Sequence, residues 1–209
     1  MGIMVRRELL WALLASVLSV RGQVIEFESG GYRYQTLTRN GLTIMFAPLS
    51  SLVREYAVLQ VAVSNGSSNT YTIRPEDFVV QSPEGNSLPG SPARQVVSRL
   101  IEHAGRGDVV KLVTAYEASL YGNSKYKATN GYEQRRQSAL AEVSSTKLKA
   151  AAAASAIAFV QTKLAPGEST DGAIFYDNNG RFLTGSLLRV KAAGSTFEFP
   201  IGGAHDSNR

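Results

Sequence analysis

Apolar and polar residues alternate along two stretches of this chain, and the stretch between them changes to helical spacing. In the first, roughly 32–90, Leu42-Thr43-Ile44-Met45-Phe46-Ala47 alternates and stops at Pro48. Glu55 to Ser64 alternates further. Tyr56, Val58, Gln60 and Ala62 fall on one face, and Ala57, Leu59, Val61 and Val63 form a wholly apolar opposite face, the pattern of a strand covering a core. Thr70-Tyr71-Thr72-Ile73 and Phe78-Val79-Val80-Gln81 read as further strands, because β-branched and aromatic side chains suit a pleated surface. Punctuation separates these runs. Asn40-Gly41 is a hairpin turn between 32–38 and 42–46, Asn65-Gly66-Ser67-Ser68-Asn69 is a turn cluster, and Arg74-Pro75-Glu76-Asp77 is a break.

The middle stretch, about 92–161, is expected to be helical. Pro92 suits a first turn, and Val96, Val97, Leu100, Ile101 and Ala104 recur at helical spacing before Gly105. Asp108 is placed to cap a second helix, whose stripe is Val109, Leu112, Val113, Tyr116 and Leu120 and whose stop is Gly122-Asn123. From Glu133 to Val160 there is neither Gly nor Pro, and the Ala-rich run at 150–154 favours one long helix over about 132–160.

Alternation returns over 163–202. Gly172–Tyr176, Leu187–Ala192 and Thr196–Ile201 are strands separated by the turns at 164–169, 177–180 and 193–195. About seven short strands, split on either side of the helices, predict a mainly β fold: an antiparallel sandwich interrupted by a helical segment. Three strands alone make a poor core, so the C-terminal strands are expected to complete sheets begun by the N-terminal ones, in preference to two separate domains.

The first 22 residues change the picture of location. Arg6 and Arg7 precede a twelve-residue run of apolar and small residues from Leu9 to Val20, and Val20 and Gly22 suit the small-residue positions before a cleavage point. This is the pattern of a secretory leader cleaved near Gly22–Gln23, leaving residues 23–202 as a single folded unit and 203–209 as a disordered tail. A helix of that run covers about 18 Å against a hydrocarbon core of ~30 Å, too short for a span. The mature chain would have no transmembrane segment, and its expected address is periplasmic or extracellular in a bacterial envelope. An uncleaved anchor is the alternative.

Composition narrows the chemistry. The chain has no cysteine and two histidines, His103 and His205, so thiolate metal sites, cysteine nucleophiles and multi-histidine sites are excluded. Phosphate-binding glycine loops and a G-x-S-x-G elbow are absent from the sequence. No cofactor or metal is expected, Asp177-Asn178-Asn179-Gly180 reads as a plain turn, and Asn65-Gly66-Ser67, a formal glycosylation acceptor, already has a role as a turn.

Two segments carry a resemblance. Val58-Leu59-Gln60-Val61-Ala62-Val63-Ser64-Asn65, followed by Leu164-Ala165-Pro166-Gly167-Glu168-Ser169-Thr170-Asp171-Gly172-Ala173-Ile174-Phe175-Tyr176, resembles small secreted immunoglobulin-like β-sandwich modules of bacteria. The likeness covers roughly 42–81 and 163–201. It implies an immunoglobulin-like fold and an accessory or binding role, and it carries over no catalytic residue. The helical middle departs from the plain module.

Charge is unevenly placed. Residues 94–149 hold ten basic and five acidic side chains, and Tyr116, Tyr121, Tyr126 and Tyr132 fall in the same stretch. Tyr and Arg together are the composition of contact surfaces. The candidate partner surface is Arg94, Arg99, Arg106, Lys111, Tyr121, Lys125, Tyr126, Lys127, Tyr132, Arg135 and Arg136, facing an acidic protein or an anionic envelope polymer. Export weighs against nucleic acid. The alternative for these residues is a solvated helical face with its tyrosines packed on the sandwich. The expected function is therefore a non-enzymatic, exported envelope accessory or binding protein. The alternatives are a carbohydrate-active hydrolase using loop carboxylates and a membrane-surface protein docking through the long helix.

Overall fold

The computed structural model describes residues 22–103, 106–122, 132–141 and 146–202. The expected leader, apart from Gly22, and the expected disordered tail at 203–209 lie outside the described residues. The described chain is mainly antiparallel β with a helical block. Strands β1 (Ile25–Ser29), β2 (Tyr32–Arg39), β3 (Leu42–Pro48), β4 (Tyr56–Asn65), β5 (Tyr71–Ile73), β6 (Phe78–Gln81) and β7 (Ser87–Pro89) precede helices α1 (Ala93–His103), α2 (Arg106–Gly122), α3 (Tyr132–Ala141) and α4 (Thr146–Ile157). Strands β8 (Thr162–Leu164), β9 (Ser169–Asp177), β10 (Leu187–Ala192) and β11 (Ser195–Pro200) follow.

Among the described residues three sheets form: β1-β2-β3-β4-β9, β11-β10-β6-β7, and the pair β5-β8. The Asn40-Gly41 turn joins β2 to β3 with both residues at positive φ, 49° and 75°, as a twisted two-residue hairpin requires. The C-terminal strands do return to the N-terminal sheets. β9 pairs with β4 from Tyr56↔Asp177 to Ser64↔Ser169, and β10 pairs with β6.

The first core lies between the two larger sheets. Ile44, Phe46, Leu59, Val61 and Val63 from one meet Phe78, Val80, Leu188, Val190, Phe197 and Phe199 from the other, with the rings of Phe46 and Phe199 edge to face at 5.2 Å. A second core lies on the other side of the five-stranded sheet. Tyr56, Val58, Ala173 and Phe175 pack there against Val96 and Leu100 of α1, Leu112 and Tyr116 of α2, and Ala154 and Ile157 of α4.

Strand alternation explains the two cores. In β4 the set Ala57, Leu59, Val61, Val63 faces the sheet core, as its apolar character predicts, while Tyr56 and Val58 face the helices. The second face, which the sequence presents as partly polar, is covered as well: Gln60 is 5% and Ala62 3% exposed. β9 divides the same way, Ile174 and Tyr176 toward the sheets, Ala173 and Phe175 toward the helices. Each fully buried Val, Leu or Phe side chain contributes about 1.5–3 kcal/mol, so covering the second face adds a core rather than a decoration.

One expectation is corrected. A single helix over 132–160 would set residues 135 and 156 about 31 Å apart. Instead Arg135 Nε donates to Ala156 O at 3.0 Å, so α3 and α4 lie side by side. The alanines give α4 little side-chain bulk, and its buried Ala154 and Ala156 allow that close approach. The block is also tied in at both ends. Ser91 N–H donates to Phe175 O and Phe159 N–H to Ala173 O, both on the open edge of β9.

Candidate functional site

The helical block meets the sheet at Asp171. Its position in β9 shares the register of Ala173 and Phe175, so its side chain enters the helix-facing side, where it is 1% exposed. A carboxylate there needs partners, and three elements supply them. Tyr116 of α2 donates its hydroxyl to Oδ2 at 2.8 Å, and the Tyr132 backbone N–H at the start of α3 donates to Oδ1 at 3.1 Å. Arg135 places Nη1 3.8 Å from Oδ1, donates Nη2 to the Asp171 carbonyl at 2.7 Å, and reaches α4 through Ala156 O. One guanidinium thus ties α3, α4 and β9 together.

A second layer of contacts surrounds this hub. The Tyr132 hydroxyl donates to Glu117 Oε1 at 2.5 Å, and Arg136 pairs with the same oxygen at 3.0 Å while lying 5.9 Å over the Tyr132 ring. Tyr116 and Tyr132 meet edge to face at 5.1 Å. The C-terminal part of α2 offers carbonyls that its own helix leaves unpaired, and hydroxyls from the sheet answer them. Tyr34 donates to Ser119 O, and Ser29 donates to Gly122 O. Burial raises the Asp171 carboxyl above its ordinary range even though the Arg135 charge pulls the other way. Burial also pushes the Tyr116 phenol well above its usual value, with the neighbouring Asp171 charge adding to the shift. With its carboxylate 1% exposed, Asp171 holds strand and helices together from the interior.

A separate loop cluster closes one end of the same layer. Arg99 of α1 pairs with Asp177 at 3.0 Å and Glu55 at 3.6 Å, and Arg54 pairs with Asp108 of α2 at 3.1 Å. Arg54 takes a φ of 54°, a left-handed conformation uncommon for a side chain of this size. Among the described residues no three His, Cys, Asp or Glu side chains converge as a metal site.

The eleven residues of the expected partner surface are distributed as follows. Tyr132 is 1% exposed, and Arg135 is largely buried against Asp171, so these two serve the interior. Arg136 and Arg99 are half-exposed and ion-paired. Arg94, Lys111 and Tyr121 are exposed, Tyr121 at 54%. Lys125, Tyr126 and Lys127 lie outside the described residues, and Arg106 is described only as part of α2. Asp171 and Glu117 are not among the residues of the expected partner surface. The available signal was an Asp-Gly pair inside the run Ser169–Tyr176, a charge where an apolar residue belongs. Asn65 confirms its turn role: it is fully buried, its amide donates to Asn69 O and Leu164 O, and its Oδ1 accepts from Ser67, so no glycan is accommodated.

No protein-family model matches the chain, and no curated protein matches it. A solved structure, the yjhA protein from Bacillus subtilis, is similar over 79% of this chain and 76% of its own, at 10% identity and a TM-score of 0.31. A similarity at that level carries no argument about fold or activity.

Proposed function

We propose that this chain is a non-enzymatic binding protein exported to a bacterial cell envelope. In this reading it is an immunoglobulin-like sandwich whose helical layer presents a contact face to an acidic protein or an anionic envelope polymer. The observation that carries the reading is the outward side of α2. Val110 and Tyr121 are 56% and 54% exposed, and Thr114 and Ala118 between them are exposed on the same side at helical spacing, with Lys111 beside them. The opposite side of the helix is sealed by Leu112, Tyr116 and Ser119. Anchoring on the Asp171 hub fixes the face before any partner arrives, which lowers the ordering cost of binding.

The test places a photoreactive amino acid at position 110 and cross-links in growing cells, with fractionation of the products. A defined envelope adduct, lost on Tyr121→Glu at unchanged melting temperature, supports the reading. No adduct, or one indifferent to that change, overturns it. Export is tested by the N-terminus of the mature protein, expected at Gln23.

The hydrolase reading has one observation in its favour: Glu55 and Asp177 both lie within 3.6 Å of Arg99 Nη1 at a loop end. It requires release of saccharide from envelope polysaccharide by the wild-type protein and loss of that release in Asp177→Asn.

A further inference from the structure

We infer that a polar groove on the side of the molecule away from the helices binds an anionic carbohydrate. The groove, with a volume of about 580 Å³, runs between β5, the 3-10 turn Pro75–Asp77 and the β10–β11 hairpin. Its lining includes the cations Arg74 and Lys191, the hydroxyls of Thr72, Ser195 and Thr196, and the Asp77 carboxylate. Asp77 Oδ2 accepts the Arg74 backbone N–H at 2.8 Å, and the lining carries two cations against this one carboxylate, a positive balance. Both cations are exposed. A third, Arg39, stands behind the wall, its Nη1 donating to Thr196 O at 2.5 Å.

The floor explains the shape. Ala192-Ala193-Gly194 turns the hairpin with φ of 52° at Ala193 and 67° at Gly194, and a Cβ added at Gly194 would meet no atom within 4 Å. Small residues at the turn leave the groove open at the surface. Asn40 of the neighbouring hairpin braces the turn, its amide donating to Ala193 O at 3.1 Å and meeting Ser195 Oγ at 2.9 Å. An open trough with hydroxyls and two cations in its lining offers hydrogen bonds to a ligand rich in hydroxyls and charge-assisted ones to acidic groups at intervals. This inference rests on the binding-protein reading but uses a different face, so the two fail separately.

The experiment is an NMR titration of the mature protein with an oligogalacturonate, using a neutral oligosaccharide of equal length and inorganic phosphate as parallel arms. The expected result is saturable shifts at Thr72, Lys191, Gly194 and Thr196 with the acidic oligosaccharide. Affinity should fall about tenfold in each of Arg74→Gln and Lys191→Gln, decline with added salt, and be unaltered in Val110→Ser. Tighter binding of free phosphate than of the oligosaccharide would assign the groove to a simple anion and overturn the carbohydrate. Equal binding of the neutral sugar, shifts confined to the helices, or unaltered affinity in both groove variants would overturn the site while leaving the helical face to its own test.

Discussion

Replacing Arg135 with methionine should cost about 3–5 kcal/mol of stability at neutral pH, because it strands a carboxylate in the interior. The side chain is 15% exposed and its partner Asp171 only 1%, so solvent screens the pair weakly. Methionine keeps much of the aliphatic volume but removes the charge facing Asp171 and the donors to Asp171 O and Ala156 O. The pH dependence distinguishes this from simple loss of packing. Burial already holds the folded-state Asp171 pKa above its unfolded value of about 3.9, so the native state binds the proton more readily than the unfolded chain. Stability from this group therefore declines as pH rises through that window. Without Arg135 the folded pKa rises further and the decline steepens. Urea unfolding of the variant against wild type should show the full deficit at pH 7, shrinking toward about 1–2 kcal/mol as acid protonates Asp171 and leaves only the backbone hydrogen bonds missing. A deficit below 1 kcal/mol at pH 7, or one that does not shrink on acidification, would refute the reasoning.

Other substitutions probe separate parts of the structure. Tyr116→Phe removes the buried hydroxyl that donates to Asp171 and should cost about 1–3 kcal/mol by the same assay. Gly172→Ala should destabilise by about 1–3 kcal/mol, since the new Cβ would stand 2.6 Å from Phe159 Cα, and thermal unfolding would read it. Ala193→Gly should raise the melting temperature, because it relieves about 1 kcal/mol of left-handed backbone strain. Leu188→Ala, fully buried between the sheets, should cost about 2–5 kcal/mol.

Much of the strand layout could be read from alternation, and the reason is local. Phe197 and Phe199 flank the exposed Glu198 in β11, and β4 carries the apolar set that faces the sheet core, so period and burial agree there. The strands missed, β1, β7 and β8, are short or weakly patterned: Ile25-Glu26-Phe27-Glu28 lies at a sheet edge with Ile25 61% exposed, and β7 and β8 have three residues each. The turn back between α3 and α4 was hidden because alanine favours a helix whatever its length, and only the long-range bonds of Arg135 reveal the pairing. The site was harder still. Counting Tyr and Arg draws attention to this segment but does not give the direction in which its side chains point. Tyr132 and Arg135 turn inward because Asp171, some forty residues later in the chain, needs them, and no local pattern encodes that demand.

The account rests on the helices being a layer of the folded structure, fixed by the Asp171 hub, so that any outward face is held rigid. Native-state hydrogen exchange measures this directly. The amides of Tyr116 in α2 and Ile157 in α4 should exchange with the same opening free energy as Val61 in β4, the value for global unfolding. Exchange of the helix amides by an opening several kcal/mol easier, with Val61 still fully protected, would contradict it.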